Sequence, residues 1–122
     1  MWKELNEYRQ NLLNKKAEEY AIEKNRWVEF EWAASALETT PQVHLLHLLY
    51  KHLYCIEVMR NNPNKPYHKD YIFEKFADAL NYLDLLDAMN RDYNVAPDPR
   101  TTIYRSELAE AFLKITQANN LC

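Results

Sequence analysis

The stretch "YIFEKFADALNYLDLLDAM", residues 71–89, repeats apolar side chains every three or four positions. This spacing collects the apolar side chains on one face of an α-helix. The apolar face consists of Ile72, Phe76, Leu80, Leu83, and Leu86 or Met89. Four acids lie among them, namely Glu74, Asp78, Asp84 and Asp87. The stretch therefore predicts a helix that packs on a core through one face and carries carboxylates elsewhere.

Glycine is absent from the 122 residues, and five prolines fall in three clusters. Glycine serves left-handed turns, hairpin turns and phosphate-binding loops, so its absence argues against a P-loop, a dinucleotide fingerprint and most tight β-hairpins. The segments between the proline clusters have helical periodicity. We expect an all-α protein, in which residues 1–122 form a single-domain bundle of four to five helices joined by Pro/Asn loops.

Four helical segments are predicted. Residues 2–38 form one long helix, or two with a joint near Asn25. Residues 41–62 follow Thr40 as N-cap with Pro41 at the first helical position, and they are apolar nearly all round, which predicts the central, most buried helix. The third helix starts near Asp70. Asp98 and Pro99 open the last helix, whose buried line is Tyr104, Leu108, Ala111, Phe112 and Ile115.

Charge and cysteine content indicate the cellular setting. The net charge is −3 with basic residues scattered among acids, which argues against nucleic acid as the partner. The apolar runs are too short to span a membrane, and residues 1–20 lack the pattern of a secretory signal. Cys55 and Cys122 have no paired spacing and are expected to be free thiols. A cytoplasmic protein is therefore expected.

Two pairs of acids have the spacing that suits a divalent cation. Glu74 and Asp78 are four positions apart and share a helix face, and Glu19 and Glu23 repeat that spacing. Two such pairs on facing helices can hold Mg²⁺ and polarise the phosphates of a nucleotide. The favoured interpretation is that Glu74, Asp78 and their neighbours are the solvated face of an amphipathic helix, with no metal or other cofactor, and the Mg²⁺ site is the alternative.

Residues 71–89 also resemble the second acidic motif of the all-α nucleotide pyrophosphohydrolases, the MazG-like and dimeric dUTPase superfamily. That resemblance implies a Mg²⁺-dependent hydrolase of nucleoside triphosphates. Asp78 matches the aspartate of the family motif and Glu74 its first glutamate, whereas Lys75 stands where the family has its metal-binding glutamate. In this alternative, Glu19 and Glu23 take the part of the first acidic motif.

Histidines offer weaker candidate sites. His44 with His47, and His52 with Cys55, are spaced as pairs of transition-metal ligands would be on a helix. Neither pair has obvious further ligands, so a half-buried polar seam is the favoured interpretation. A nuclease-like Arg60 and His68 pair is interrupted by two prolines and is interpreted as an Asn/Pro connector.

Sixteen aromatic residues, nine of them tyrosines, exceed what a helical core of this size needs. Trp27 and Trp32 point about 140° apart on a helix, so they cannot both face one core stripe. The favoured function is therefore a non-enzymatic protein-binding module that binds another protein, or itself as a homodimer, through an acidic and Tyr/Trp-rich surface. Inhibitors and adaptors encoded by phages and mobile elements are analogues in class. The expected interface residues are Trp27, Trp32, Tyr50, Tyr54 and Tyr82.

Overall fold

The computed structural model describes residues 1–20 and 27–121, except for the side chains of residue 13 and residues 16–20. This part of the chain contains five helices and no strand. The helices are α1 (Trp2–Tyr20), α2 (Val28–Ala36), α3 (Pro41–Asn61), α4 (Lys69–Asp92) and α5 (Arg100–Ala118). They pack into one bundle, so the predicted all-α fold is confirmed. None of these helices is both long and apolar enough to cross a membrane.

Helix α4 contacts α1, α3 and α5, and α3 likewise contacts three helices, namely α2, α4 and α5. All predicted apolar positions from Ile72 to Met89 on α4 are buried, in agreement with the periodicity. The prediction that α3 is the most buried helix is wrong, because α4 has twelve buried residues and α3 has five. The small side chains of Ala77 and Ala88 add a second buried face to α4, which lets neighbouring helices pack on more than one side.

The segment 2–38 contains two described helices that pack on different neighbours. α1 lies against α4, where Leu5 is fully buried and Trp2 packs edge-on against Phe112 of α5 at 5.3 Å between ring centroids. α2 lies against α3 instead. The joint expected near Asn25 falls on residues 21–26, outside the described residues.

Side-chain hydrogen bonds form at the N-terminal ends of α3, α4 and α5. The Thr40 hydroxyl accepts a hydrogen bond from the Val43 N–H at 3.2 Å, which confirms the predicted N-cap of α3. His68 caps α4, because its Nδ1 accepts from the Asp70 N–H at 3.2 Å. Before α5, the Asp98 carboxylate accepts from the Arg100 N–H at 3.0 Å. These contacts satisfy N–H groups that have no partner within the helix.

The helix ends show how a chain without glycine closes its helices. Glu38, Asn94 and Asn120 adopt left-handed backbone conformations, with φ between 55° and 58°. The N–H of the residue that follows each of them donates a hydrogen bond to the carbonyl oxygen five positions before it. An example is Val95 N–H to Asn90 O at 2.8 Å. This is the Schellman arrangement, in which glycine is usual and asparagine is the next choice. Asparagine therefore replaces glycine at two of the three closures.

Candidate functional site

Two acids of α4 are paired with arginines from the neighbouring helices. Asp84 accepts hydrogen bonds from Arg9 of α1 and, at 2.9 Å, from Arg105 of α5. Asp87 is 2.8 Å from the same Arg105 guanidinium. Burial alone would lower the pKa of Arg105, but the hydrogen bonds to the two carboxylates outweigh it and raise that pKa. Asp84 and Asp87 therefore connect three helices.

Glu74 and Asp78, the candidate magnesium ligands, have protein neighbours of their own. A Glu74 carboxylate oxygen is 3.7 Å from Lys75 Nζ, and Asp78 Oδ2 is 3.8 Å from His52 Nδ1 on α3. Glu23 and the side chain of Glu19 lie outside the described residues. Within the described part of the chain, no three His, Cys, Asp or Glu side chains come close enough together to hold a metal ion. The four-carboxylate site stays a prediction.

The histidines of α3 lie in different surroundings. His44 packs edge-on against Phe30 of α2, and its Nδ1 is buried without a hydrogen-bond partner among the described residues. His47 is exposed. His52 lies against the ring of Tyr82 at 5.4 Å between centroids. His44 and His47 therefore differ in burial, one being packed against α2 and the other exposed to water.

The other candidate residues take part in local contacts. Cys55 is a free thiol, as expected, and it lies beside Tyr71, whereas Cys122 lies outside the described residues. Arg60 is 2.8 Å from Glu57 on the same helix, while His68 caps α4. Arg60 and His68 therefore have separate structural partners.

Trp27 departs from its expected place at an interface. Its side chain is 4% exposed, its ring packs edge-on against Phe30 at 6.0 Å, and its Nε1 donates to Asp92 Oδ2 at 2.7 Å. Tyr93 donates a hydrogen bond to Glu31 next to this contact. The prediction that Trp27 lies on an exposed surface is wrong, because its ring instead joins α2 to the end of α4.

Trp32, Tyr54 and Tyr50 lie on the surface as predicted. Trp32 is 75% exposed, Tyr54 is 71% exposed and Tyr50 is 41% exposed. The Tyr50 hydroxyl is 2.6 Å from the Tyr104 hydroxyl of α5, and this hydrogen bond, together with burial, raises the pKa of Tyr104 to about 12. Tyr82 is half-buried against His52.

A row of exposed residues follows the whole length of α3. It is called the outer stripe and consists of Val43, His47, Tyr50, Tyr54, Glu57 and Asn61. Successive members are alternately four and three positions apart, so they lie on one line of the helix. This row was not predicted, because the leucines on the opposite side of α3 dominate the helical pattern. The alternation of four and three was the signal that could have found it.

A groove borders the outer stripe where α2 meets the start of α3. It has a volume of about 470 Å³ and is lined by Val28, Glu29, Trp32, Ala33 and His44. The groove places the exposed indole of Trp32 beside the first turns of α3. The outer stripe together with the groove residues is called the outer surface.

Polar groups surround these apolar side chains. Lys51 and His47 are exposed on the side of α3 that faces α2, and Glu57 is exposed towards α5. Hydrogen bonds from Arg60 and Asn61 lower the pKa of the Glu57 carboxyl, so this group carries a negative charge at neutral pH. The outer surface thus combines exposed aromatic rings with charges of both signs. Comparison of the chain with protein-family models, with curated proteins and with solved structures found no match.

Proposed function

We propose that this protein acts by binding another protein through the outer surface of α2 and α3. The observation that carries the proposal is the exposure of two large aromatic side chains on adjacent helices, Trp32 at 75% and Tyr54 at 71%. Tryptophan and tyrosine are enriched among the residues that contribute most to binding at protein interfaces. Covering an exposed indole with a partner removes apolar surface from water, which favours binding.

The surroundings of Trp32 and Tyr54 support the proposal. Val28, Val43 and Val58 are each between 37% and 41% exposed and extend the apolar area along both helices. Glu29, Lys51 and Glu57 lie at its margins. An apolar centre with a polar rim is the usual composition of a protein–protein interface. The groove beside Trp32 gives a partner's side chain a place to insert.

Two of the four acids of α4 have a structural role in this proposal. Asp84 and Asp87 are bound to Arg9 and Arg105 and hold the bundle together. The protein then acts as an inhibitor or adaptor, without catalysis of its own. A cytoplasmic setting fits this proposal, since Cys55 is a free thiol in the part of the chain described.

Photo-crosslinking inside the source cells tests the proposal. A benzophenone amino acid replaces Tyr54 in one variant and Trp32 in a second, and a matched control carries it at Leu113, which is 54% exposed on α5. We expect a discrete crosslinked protein from positions 54 and 32 after irradiation, and none from position 113. Crosslinks at all three positions alike, or at position 113 alone, would contradict the proposal, and so would their absence at 54 and 32.

A further inference from the structure

We infer that the partner covering the outer surface is a second copy of this chain, with the two α3 helices packed antiparallel about a two-fold axis. The inference rests on the proposed function, because it names the partner of the same surface. It is carried by the spacing of the outer stripe and by the charges on it.

The outer stripe has the spacing of a helix that pairs with another helix. Its six members alternate by four and three positions from Val43 to Asn61 and are all exposed. This alternation is the spacing of the seam positions of a two-helix coiled coil. Val43, Tyr50 and Tyr54 supply apolar contacts at these positions, and polar residues at the others specify how the two helices align. The stripe covers about 27 Å of helix at 1.5 Å per residue, which is long enough for several layers of contacts.

The antiparallel arrangement matches these residues layer by layer. With the two-fold axis at the level of residue 52, Tyr50 faces Tyr54 of the second copy, and Val43 faces its Asn61. His47 then faces Glu57 of the second copy. Each layer occurs twice because of the symmetry, as in any two-fold interface between identical chains.

Charge favours the antiparallel arrangement over the parallel one. Antiparallel pairing brings the imidazole of His47 to the carboxylate of Glu57, whereas parallel pairing brings His47 to His47 and Glu57 to Glu57. Two Glu57 carboxylates facing each other across an interface repel, whereas an imidazole N–H can donate a hydrogen bond to a carboxylate. Glu57 already accepts from Arg60 at 2.9 Å and from Asn61 at 3.2 Å, and a carboxylate has acceptor capacity for a further donor.

The residues beside the seam fit the same arrangement. Val58, which is 38% exposed, approaches His44 of the second copy and therefore the groove that His44 shares with Trp32. This contact brings the exposed indole into the interface. Lys51 of each copy lies close to Lys51 of the other at the two-fold axis, and the long aliphatic stems let the two ammonium groups separate into water.

Disulfide trapping tests the arrangement. In a chain with Cys55→Ala and Cys122→Ser, the variants His47→Cys and Glu57→Cys are oxidised separately and as an equimolar mixture. We expect the mixture to yield a disulfide-linked dimer, and each variant alone to yield little. Dimers from the separate variants, with none added by mixing, would indicate parallel pairing and overturn the inference.

Exchanging the charges provides a second readout in the chain without added cysteines. His47→Glu sets two carboxylates against each other, and Glu57→Lys sets an ammonium group against the imidazole, at two symmetry-related positions. Each variant should therefore raise the Kd of the dimer about tenfold, and combining them should restore it. Glu110→Lys, an equal change of charge at an exposed position of α5, is the control and should leave the Kd unchanged. Sedimentation equilibrium measures the Kd. Additive losses in the double variant would overturn the inference.

The failure of this inference can be distinguished from the failure of the proposed function. A chain that stays monomeric at high concentration, but crosslinks from position 54 to a different protein in cells, refutes self-pairing and leaves the proposed function standing. A monomeric chain that crosslinks to nothing from positions 54 and 32 refutes both. A dimer that forms normally after Tyr54→Glu uses another surface and refutes the self-pairing described here.

Discussion

Replacement of the two tryptophans of the α2 region should have very different effects on stability. Trp27 is 4% exposed, whereas Trp32, five positions later, is 75% exposed. Trp27→Ala removes a buried ring that packs against Phe30 and donates to Asp92 at 2.7 Å. Removing a buried tryptophan typically costs about 3–5 kcal/mol through lost burial and the cavity left behind. Trp32→Ala removes a ring that is mostly in water, so we expect a change within about 0.5 kcal/mol.

Urea denaturation followed by circular dichroism measures the contrast. With a slope of about 1.5 kcal/mol per M, the loss at Trp27 lowers the midpoint by about 2–3 M, and the change at Trp32 stays below about 0.4 M. The protein concentration must be low enough that the wild-type midpoint no longer depends on it, since a dimer adds to apparent stability.

A milder variant covers the case in which Trp27→Ala does not fold. Trp27→Phe keeps an aromatic ring and removes the hydrogen bond to Asp92, which is worth about 0.5–1.5 kcal/mol. We therefore expect its midpoint to lie between those of Trp27→Ala and the wild type. Equal losses from the changes at Trp27 and Trp32, or a larger loss at Trp32, would refute the assignment of Trp27 to the core.

Further predictions concern a helix cap, an ion pair, the pH dependence and magnesium. Thr40→Ala should cost about 1 kcal/mol of unfolding free energy, because it removes the N-cap bond to α3, and Thr39→Ala should cost less. Arg105→Met should cost about 1 kcal/mol, since it removes two ion pairs while keeping most of the apolar stem, and the loss should shrink in high salt. Partial burial and the hydrogen bond to Glu31 raise the pKa of Tyr93 to about 12, so its contribution to stability is complete below about pH 10 and is lost as the pH rises towards 12. Urea midpoints should therefore fall less steeply over that range in Tyr93→Phe than in the wild type. Millimolar Mg²⁺ should leave the melting temperature unchanged in calorimetry, and a rise that Asp78→Asn abolishes would favour the hydrolase alternative.

The sequence predicted the buried side of α4 because helical periodicity reports directly which side chains share a face. Ile72, Phe76 and Leu83 are all fully buried. Apolar content does not report how much of a helix is buried, and for that reason α3, with its many leucines, was wrongly expected to be the most buried helix. The alanines of α4 were the better signal, since small side chains allow helices to approach on a second face.

The sequence was less informative about the site. The angle between Trp27 and Trp32 predicted correctly that they point apart, but it could not indicate which one enters the core. That choice depends on Asp92, which lies 65 positions from Trp27 in the chain. Likewise, Asp84 meets Arg9 across 75 positions and Arg105 across 21. Tertiary packing determines these partners, and no local pattern in the sequence indicates them.

The most direct test of the central claim is hydroxyl-radical footprinting of Trp32 and Tyr54 in the source cells and in the dilute purified protein. Tyr71 and Tyr93 are 38% and 36% exposed and lie outside the outer surface, so they serve as internal controls. If a partner covers the outer surface, oxidation of Trp32 and Tyr54 should fall severalfold in cells while the two controls change little. Equal oxidation of Trp32 and Tyr54 in both settings would contradict the account.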